Sequence, residues 1–498
     1  MYSARTTYCD TVEMSVLMQK QKRFIGLLAF QIRKSFTGFL IVFFHAHAVL
    51  SAQEVPQTQE AVKGVGQTGV TASLDWPRFL GPNYDGSVQE GDAQIDWGKE
   101  PDFLWQLEVG DGYGISSVAG DRVYQCDSVG GSRFSAGDER LRCIDLTSGK
   151  VLWEKLESIE YQDLYGYEAG PRSSPLIHKD RVITYGVTGK LVCRRAKDGQ
   201  KLWSVDTSLA YGVVQNFFGV GAAPLVFEDL VIVMVGGSPP EDQAVPPGQL
   251  DRVISSGSAL VAFDLKSGKE RWKSGDDLAS YSSPRPIKLG TRNGILLFAR
   301  NGLIAVDARS GEKLWRFDHR ASILESVNGM MPVVKDDRVF ISECYQIGSA
   351  LLKVDDSAAQ VVWQDDRRSR EKSMRSHWST PVLVGDYLYG CSGRNAPDSD
   401  FRCVRFSTGK VQWVDPRRTR TSVTRWGDHL LVIEERGMFE VMKVNHQEME
   451  VIASHDLSLS RGARPALRFP CWSAPVVVGN YMLVRGDQRV LCLAWKTK

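Results

Sequence analysis

A short segment that ends in tryptophan recurs along the chain and constrains the fold more than any other feature. Its clearest copies are DLTSGKVLW (145–153), KDGQKLW (197–203), DLKSGKERW (264–272), DARSGEKLW (307–315) and STGKVQW (407–413). Six copies share a ten-residue register, which begins at Cys143 in the first and at Lys353 in the fifth. Self-similarity at a fixed period is typical of a repeat architecture.

A second element accompanies the first, and it contains a small residue, a proline and then alternating apolar residues. The prolines are Pro175, Pro224, Pro284, Pro332, Pro381 and Pro475. The last gap is about twice the others, which indicates one degenerate copy (420–456) without a tryptophan. Proline cannot donate to a sheet ladder, so these positions predict the start of an edge strand that lines a channel.

Each copy is predicted to form four short strands, because apolar residues alternate and Gly/Asp turns separate them. Four strands in a period of 40–50 residues are typical of a β-propeller blade. The predicted fold is therefore all-β, an eight-bladed propeller of four-stranded antiparallel blades. The eighth copy (473–495) lacks its last strand, and FLWQLEV (103–109) would supply that strand and close the ring. Seven blades is the alternative.

The tryptophans are predicted to be structural, with each ring buried over the neighbouring blade. They are Trp105, Trp153, Trp203, Trp272, Trp315, Trp363 and Trp413.

The N-terminal region differs from the rest of the chain. Basic residues precede a short apolar run (39–44) and small residues at 46–52, a pattern typical of a secretory signal. We predict a signal peptide at 1–52, with an N-terminal membrane segment as the alternative, then a flexible linker at 53–74 and the propeller at 75–498. This predicts an exported protein of the periplasm or cell envelope.

The charge balance argues against a nucleic-acid partner. Lys and Arg number 61 against 59 Asp and Glu, so the net charge is only +2. We expect a monomer, with no membrane contact beyond a possible N-terminal anchor.

The segment AFDLKSGKERW (262–272) resembles the tryptophan-docking motif of the pyrroloquinoline-quinone (PQQ) repeat family. That family includes eight-bladed quinoprotein alcohol dehydrogenases and the non-enzymatic outer-membrane assembly protein BamB. DWPRFLGPNYDG (75–86) resembles the start of exported PQQ-like repeat proteins of planctomycetes. The resemblance implies the propeller fold over about 75–498.

The chain departs from the quinoprotein dehydrogenases in its chemistry. Those enzymes carry a vicinal Cys-Cys disulfide over the cofactor, and this chain has no Cys-Cys pair. Their Ca²⁺ ligands and catalytic aspartate match no stretch here. We therefore assign no catalytic residue and no metal ligand, and expect no cofactor.

Residues just before the predicted inner strands should reach the channel mouth. They are Arg172, Asn216, Tyr281, Asn328, Arg375, His377, Trp378 and Trp472. The loops at 127–140, 236–257 and 392–401 should lie on the same face. The mouth residues are predicted either to hold a planar anionic ligand, through stacking and forked hydrogen bonds, or to fill the mouth and satisfy loop backbone. His377 alone is predicted to be structural.

Eight cysteines follow the predicted signal, and two interpretations stay open. Cys143, Cys193, Cys403 and Cys492 occupy a third-strand position that holds alanine elsewhere, which favours small buried thiols. Cys126 with Cys143, and Cys391 with Cys403, are the alternative disulfide pairs.

Two functional hypotheses follow. The first is a non-catalytic scaffold that binds a protein, peptide or polysaccharide of the cell envelope through its loop-rich face and channel mouth. The second is a PQQ-dependent oxidoreductase acting on alcohols or sugars, with calcium beside the cofactor.

Overall fold

A computed structural model describes residues 75–88, 95–132, 134–135, 137–167, 169–460 and 466–498. The predicted signal and linker lie outside these residues. Three strands precede the first repeat: β1 (Asp75–Trp76), β2 (Ser87–Val88) and β3 (Asp102–Glu108). Among the described residues, no helix has the length and apolarity that a membrane span requires.

The first four repeats give four blades, in each of which the strands run outward from the channel in chain order. Blade 1 holds β4 (Ser117–Ala119), β5 (Arg122–Val129), β6 (Asp138–Asp145) and β7 (Val151–Glu157). Blade 2 holds β8 (Leu176–His178), β9 (Arg181–Tyr185), β10 (Lys190–Arg195) and β11 (Lys201–Asp206), followed by the short helix α1 (Thr207–Tyr211). Blade 3 holds β12 (Leu225–Phe227), β13 (Leu230–Met234), β14 (Leu260–Asp264) and β15 (Glu270–Ser274), with 3₁₀ turns at Pro240–Ala244 and Leu250–Arg252. Blade 4 holds β16 (Arg285–Leu289), β17 (Arg292–Ala299), β18 (Gly302–Asp307) and β19 (Lys313–Asp318).

The remaining repeats give four more blades. Blade 5 holds β20 (Val333–Lys335), β21 (Arg338–Glu343), β22 (Gly348–Val354) and β23 (Ala359–Gln364). Blade 6 holds β24 (Val382–Val384), β25 (Tyr387–Ser392), β26 (Asp400–Arg405) and β27 (Val411–Asp415). Blade 7 holds β28 (Ser422–Trp426), β29 (His429–Ile433), β30 (Met438–Lys443) and β31 (Glu450–Asp456). Blade 8 holds β32 (Val476–Val478), β33 (Tyr481–Gly486), β34 (Arg489–Ala494) and, as its outer strand, β3.

The ring is closed by the N-terminal strand, as predicted, and the seven-blade alternative is wrong. β3 pairs antiparallel with β34, and Trp105 lies opposite Cys492. The strand begins and ends one residue earlier than predicted. The two ends of the propeller domain are therefore held in one sheet, which leaves no open edge between the first and last blades.

The recurring tryptophans lie on the outer strands of seven of the eight blades, all but blade 7, and pack against the next blade. Their indole N–H groups donate to backbone carbonyls in the following blade: Trp105 to Leu146 (2.7 Å), Trp153 to Ala196 (3.1 Å), Trp203 to Leu265 (3.0 Å), Trp315 to Asp355 (2.7 Å), Trp363 to Phe406 (2.9 Å) and Trp413 to Asn445 (3.0 Å). The indole N–H of Trp272 is buried without an acceptor among the described residues. The structural role of these tryptophans stays a prediction, which the Trp105 variant in the Discussion tests.

The turn glycines have two functions in this docking. Gly268 has a φ of +69°, which suits glycine best, and a Cβ there would stand 2.7 Å from the ring of Trp203. Glycine therefore both makes the turn and lets the indole lie flat on it. Blade 5 lacks this glycine and has a longer hairpin.

That longer hairpin corrects the predicted register of the fifth copy. Trp363 lies opposite Leu351, whereas Lys353 lies opposite Gln360. Trp153 lies opposite Cys143, as the common register requires. The hairpin from Leu351 to Trp363 is two residues longer than its equivalents because β22 and β23 pair further, before a turn (355–358) that is shorter than the one in blade 3 (265–269). The predicted alignment on Lys353 is therefore wrong.

We expect Gly268→Ala to destabilise the protein by about 2–4 kcal/mol, because the new Cβ meets the Trp203 ring and also strains the turn. Gly290 is the matched control, since its φ is +58° and a Cβ there would meet nothing within 4 Å. Gly290→Ala should cost about 1 kcal/mol. Urea denaturation of both variants measures the difference, and equal losses would contradict the close contact.

All eight described cysteines are free and buried, so the predicted disulfide pairs are not formed. Cys126 lies opposite Leu141 and Cys143 lies opposite Tyr124. Cys391 likewise faces Phe401 rather than Cys403. The members of each proposed pair are two positions out of register, and the small-hydrophobe interpretation fits the observed burial.

A polar layer separates parts of blades 1 and 2. Glu157 forms ion pairs with Lys190 (2.9 Å), Arg194 and Lys201 (2.5 Å). Glu139 lines a small cavity of about 20 Å³ beside this group, and its carboxylate accepts from the Val187 N–H at 2.7 Å. Burial raises the pKa of Glu139 to about 7.

This raised pKa predicts a pH-dependent stability. An acid with a raised native pKa holds more protons when folded, so its contribution to stability falls as the pH rises from about 4 to about 7. The free energy of unfolding of Glu139→Gln, relative to that of the parent, should therefore rise by on the order of 2 kcal/mol from pH 5 to pH 8. Urea denaturation at both pH values measures this, and a difference that does not change with pH would contradict it.

Residues 75–88 form a plug across one end of the channel, a feature that the sequence did not predict. β1 pairs antiparallel with β4 as a fifth strand on the channel side of blade 1, and β2 pairs parallel with β28 in blade 7. Between them, the Pro77 carbonyl accepts from the Ile177 N–H at 2.7 Å. The buried Arg285 donates to the Tyr84 carbonyl at 2.5 Å. The plug thus joins inner strands of blades around the ring.

Candidate functional site

The propeller has two different faces. The plug lies where inner strands end, beside the tight turns, and this side is called the turn face. The opposite side, the loop face, carries the links between blades and the loops between second and third strands. All predicted mouth residues belong to these links, immediately before inner strands. The loop face is therefore the candidate binding surface.

A row of rings crosses the loop face. Neighbouring ring centroids are 4.9 to 6.3 Å apart. The members of this aromatic row are, in order, Tyr165, Phe218, Tyr167, Trp472, Trp378, His377 and Tyr345. They come from blade links and loops far apart in sequence, so the ring closure of the propeller brings them together.

Arg172, predicted to reach the channel mouth, lies against two aromatic rings of the loop face. Its guanidinium carbon is 5.4 Å from the Phe218 ring centre and 5.7 Å from that of Tyr113. It also forms an ion pair with the buried Asp163 at 3.2 Å. The charge of Arg172 is therefore balanced within the protein.

Trp378 and Trp472 meet at the centre of the row, and Arg420 lies against both. The guanidinium carbon of Arg420 is 5.4 Å and 5.0 Å from the two indole rings. The Trp472 indole N–H donates to Glu435 at 3.1 Å, and Arg420 lies 3.8 Å from the same carboxylate. Arg420 lies two residues before β28, in the link to blade 7. It was missed in the sequence because this degenerate copy lacks the proline that located the other inner strands.

His377 belongs to the row rather than to a metal site. Its Nε2 lies 3.0 Å from the Tyr345 hydroxyl, and its Nδ1 is buried without a partner among the described residues. Burial, followed by the charges of Arg394 and Arg420, lowers the pKa of His377 to about 3. The imidazole is therefore neutral near pH 7. No three His, Cys, Asp or Glu side chains in the described part of the chain are grouped to hold a metal ion.

Four other predicted residues mainly support the loops. The Asn216 amide donates to the Ala279 carbonyl at 3.2 Å, and the buried Asn328 amide donates to the Ala299 carbonyl at 2.7 Å. The Tyr281 hydroxyl accepts from the Phe218 N–H at 2.9 Å. Arg375 pairs with Asp398 at 2.9 Å. For Asn216 and Asn328, these contacts match the interpretation in which mouth residues satisfy loop backbone.

Several exposed apolar side chains beside the row were not predicted. Phe134, Tyr165 and Phe469 are 54%, 50% and 57% exposed. The aromatic row, to which Tyr165 itself belongs, connects them. The Phe134 ring lies against Gly166, the neighbour of Tyr165, where an added Cβ would stand 2.7 Å from it. The ring centres of Phe469 and Trp472 are 6.5 Å apart. We call Phe134, Leu164, Tyr165, Tyr167 and Phe469 the exposed patch. They lie in aperiodic loops, where no sequence pattern distinguishes exposed from buried rings.

Comparison with known proteins agrees with this architecture. The model of the family described as outer membrane protein assembly factor BamB, a PQQ-repeat family, matches residues 98–238 and 255–464. The chain belongs to this PQQ-repeat family. No curated protein sequence matches the chain.

Solved structures show the same fold at low sequence identity. BamB from Moraxella catarrhalis is 15% identical, with a TM-score of 0.51 over 80% of this chain and 98% of that one. A europium-containing methanol dehydrogenase is 11% identical, with a TM-score of 0.60 over 84% and 90%. The quinohemoprotein alcohol dehydrogenase ADHIIG from Pseudomonas putida HK5 is 11% identical, with a TM-score of 0.54 over 86% and 81%. The same fold thus occurs in a BamB protein and in two dehydrogenases.

Proposed function

We propose that this PQQ-repeat protein is a non-catalytic scaffold of the cell envelope that binds a partner through its loop face. The exposed patch is the observation that carries this proposal. Contiguous exposed apolar groups of this kind mark interaction sites in soluble proteins. The patch lies on the loop face, which carries the long loops and lies opposite the plugged end. A partner would therefore approach along the channel axis from one side only.

The contacts at the mouth argue for the scaffold rather than for a PQQ and calcium site. A planar tricarboxylate needs cationic donors at the mouth, but Arg172, Arg375 and Arg420 already face Asp163, Asp398 and Glu435. The indoles of Trp378 and Trp472 contact one another instead of facing across a slot. These three arginines are thus engaged with the protein itself.

Cofactor reconstitution tests this proposal directly. The purified protein is incubated with PQQ and Ca²⁺, separated from free cofactor, and assayed for bound-cofactor absorbance and dye reduction with alcohols and sugars. We expect neither stoichiometric cofactor nor turnover. Stoichiometric PQQ with turnover would overturn the scaffold proposal in favour of the oxidoreductase.

The envelope location rests on the predicted signal at 1–52 and on the family description, which refers to outer-membrane protein assembly. Fusion of residues 1–74 to a reporter that is active only after export tests it. We expect export, and a reporter retained in the cytoplasm would contradict this part of the proposal.

A further inference from the structure

Six arginines on the loop face have exposed guanidinium groups. They are Arg367, Arg368, Arg370, Arg394, Arg436 and Arg468. None of them forms a side-chain ion pair or hydrogen bond with another described residue. Three lie in the link from blade 5 to blade 6, and the others lie in a loop of blade 6, a turn of blade 7 and the link to blade 8. They therefore share one sector of the loop face, over blades 5 to 8.

Arginines elsewhere on the surface are generally paired. Arg195 binds Asp198 at 2.8 Å, Arg292 binds Glu312 at 2.7 Å, and Arg309 binds Glu228 at 2.6 Å. The unpaired state is thus a property of this sector and not of surface arginine in this chain. An arginine without a carboxylate keeps its forked donors available for a carboxylate of a partner.

Nearby carboxylates do not fully neutralise the sector. Asp398 is held by Arg375, and Glu435 accepts from Trp472 and from the Thr419 hydroxyl at 3.0 Å. Asp366 and Glu371 are exposed among the arginines, and Glu434 lies close enough to Arg436 for that charge to act on its carboxyl, but these three carboxylates are fewer than the six arginines. The sector therefore holds more unpaired guanidinium groups than these carboxylates can neutralise, in a chain whose net charge is only +2.

The arginine sector adjoins the aromatic row. The Arg394 guanidinium carbon lies 5.5 Å from the centre of the Tyr345 ring, at one end of the row. Arg468 directly precedes the exposed Phe469, which lies beside Trp472. Two of the six arginines, Arg394 and Arg468, thus lie next to rings of the aromatic row or the exposed patch.

We propose that this surface binds an anionic polysaccharide whose sugar rings stack on the exposed aromatic faces while its carboxylates pair with the arginines. The inference rests on the proposed scaffold function and specifies the class of its partner. Charge complementarity selects an anionic polymer. The ring faces favour a carbohydrate over an acidic peptide, because the apolar face of a sugar ring is flat and suits an aromatic platform. An open row instead of a deep pocket suits a long chain.

Polygalacturonate is the probe for the test, and neutral dextran of similar length is its control. Titration of the full chain should show binding of polygalacturonate that weakens as salt rises. Dextran should bind at least tenfold more weakly. Binding of dextran as tight as that of polygalacturonate, or no binding of either, would overturn the inference.

A matched pair of triple variants locates the site. Arg394→Gln, Arg436→Gln and Arg468→Gln together should weaken polygalacturonate binding at least tenfold. The control triple removes the same charge from exposed lysines on the turn face: Lys150→Gln, Lys269→Gln and Lys410→Gln. It should change the affinity for polygalacturonate less than twofold. Equal effects of the two triples would show non-specific attraction and overturn the proposed site.

The aromatic contribution has its own measurement. Tyr165→Ala with Phe469→Ala should weaken polygalacturonate binding about tenfold but leave the binding of polyglutamate, an acidic peptide polymer, unchanged. Polyglutamate that binds the parent as tightly as polygalacturonate would overturn the carbohydrate assignment. These outcomes are separate from failure of the scaffold proposal, which only cofactor loading with turnover would show.

Discussion

Replacing Trp105 with alanine should lower the free energy of unfolding by about 3–5 kcal/mol. This side chain is 5% exposed and lies on β3, the strand that closes the ring. Its indole N–H donates to the Leu146 carbonyl, and a Cβ on Gly149 would stand 2.6 Å from its ring. Trp105 therefore joins blade 8 to blade 1 as well as completing blade 8, and truncation removes both a buried ring and a hydrogen bond.

Gln106 provides the control for this experiment, because it is the next residue on the same strand and is exposed. Gln106→Ala should change the unfolding free energy by less than about 0.5 kcal/mol. Urea denaturation followed by tryptophan fluorescence and by circular dichroism measures both variants. A Trp105→Ala protein that unfolds at the same urea concentration as the parent would contradict the closure.

Trp76→Ala in the plug should have a similarly large effect, again about 3–5 kcal/mol. Trp76 is 1% exposed, pairs with Val118 on the inner strand of blade 1, and packs within the core of blades 1 and 8. Its removal would leave a cavity at the channel end and weaken the plug that holds Arg285 through the Tyr84 carbonyl.

Asn83→Ala is the matched change in the same segment, since Asn83 is exposed. It should leave stability within about 0.5 kcal/mol of the parent. Thermal and urea unfolding of the two variants and of the parent measure these differences in stability. Equal stability of Trp76→Ala and the parent would mean that residues 75–88 are a dispensable cover.

The blade architecture could be predicted because the same physical problem recurs in each repeat. In most blades, a tight turn receives the tryptophan that the outer strand of the preceding blade carries. Gly268 and Trp203 therefore have counterparts at a fixed spacing. The closing strand was predictable for the same reason, since Trp105 belongs to the series but has no inner strand before it. Blade 5 shows the limit, because its longer hairpin shifts Leu351 into the position assigned to Lys353.

Other features lack a repeated signal. The plug contains strands of only two residues, which give no alternation to detect. Cys126 and Cys143 lie on neighbouring strands, but only the register shows that they are not opposite one another. In the site, the sequence placed Arg172 and Trp378 at the mouth, yet it could not distinguish an arginine paired with a carboxylate from an unpaired one such as Arg394. That distinction depends on long-range contacts between blades.

The central claim is that the loop face, from the exposed patch to the arginines over blades 5 to 8, is the working surface of this protein. Hydrogen–deuterium exchange of the full chain, with and without polygalacturonate, tests it most directly. We predict slower exchange in the link at 366–370, in the loop at 393–399 and beside Phe469, with no change in β1, β2 or the tight turns of the opposite face. Slowing confined to the turn face or to the plug would contradict the claim.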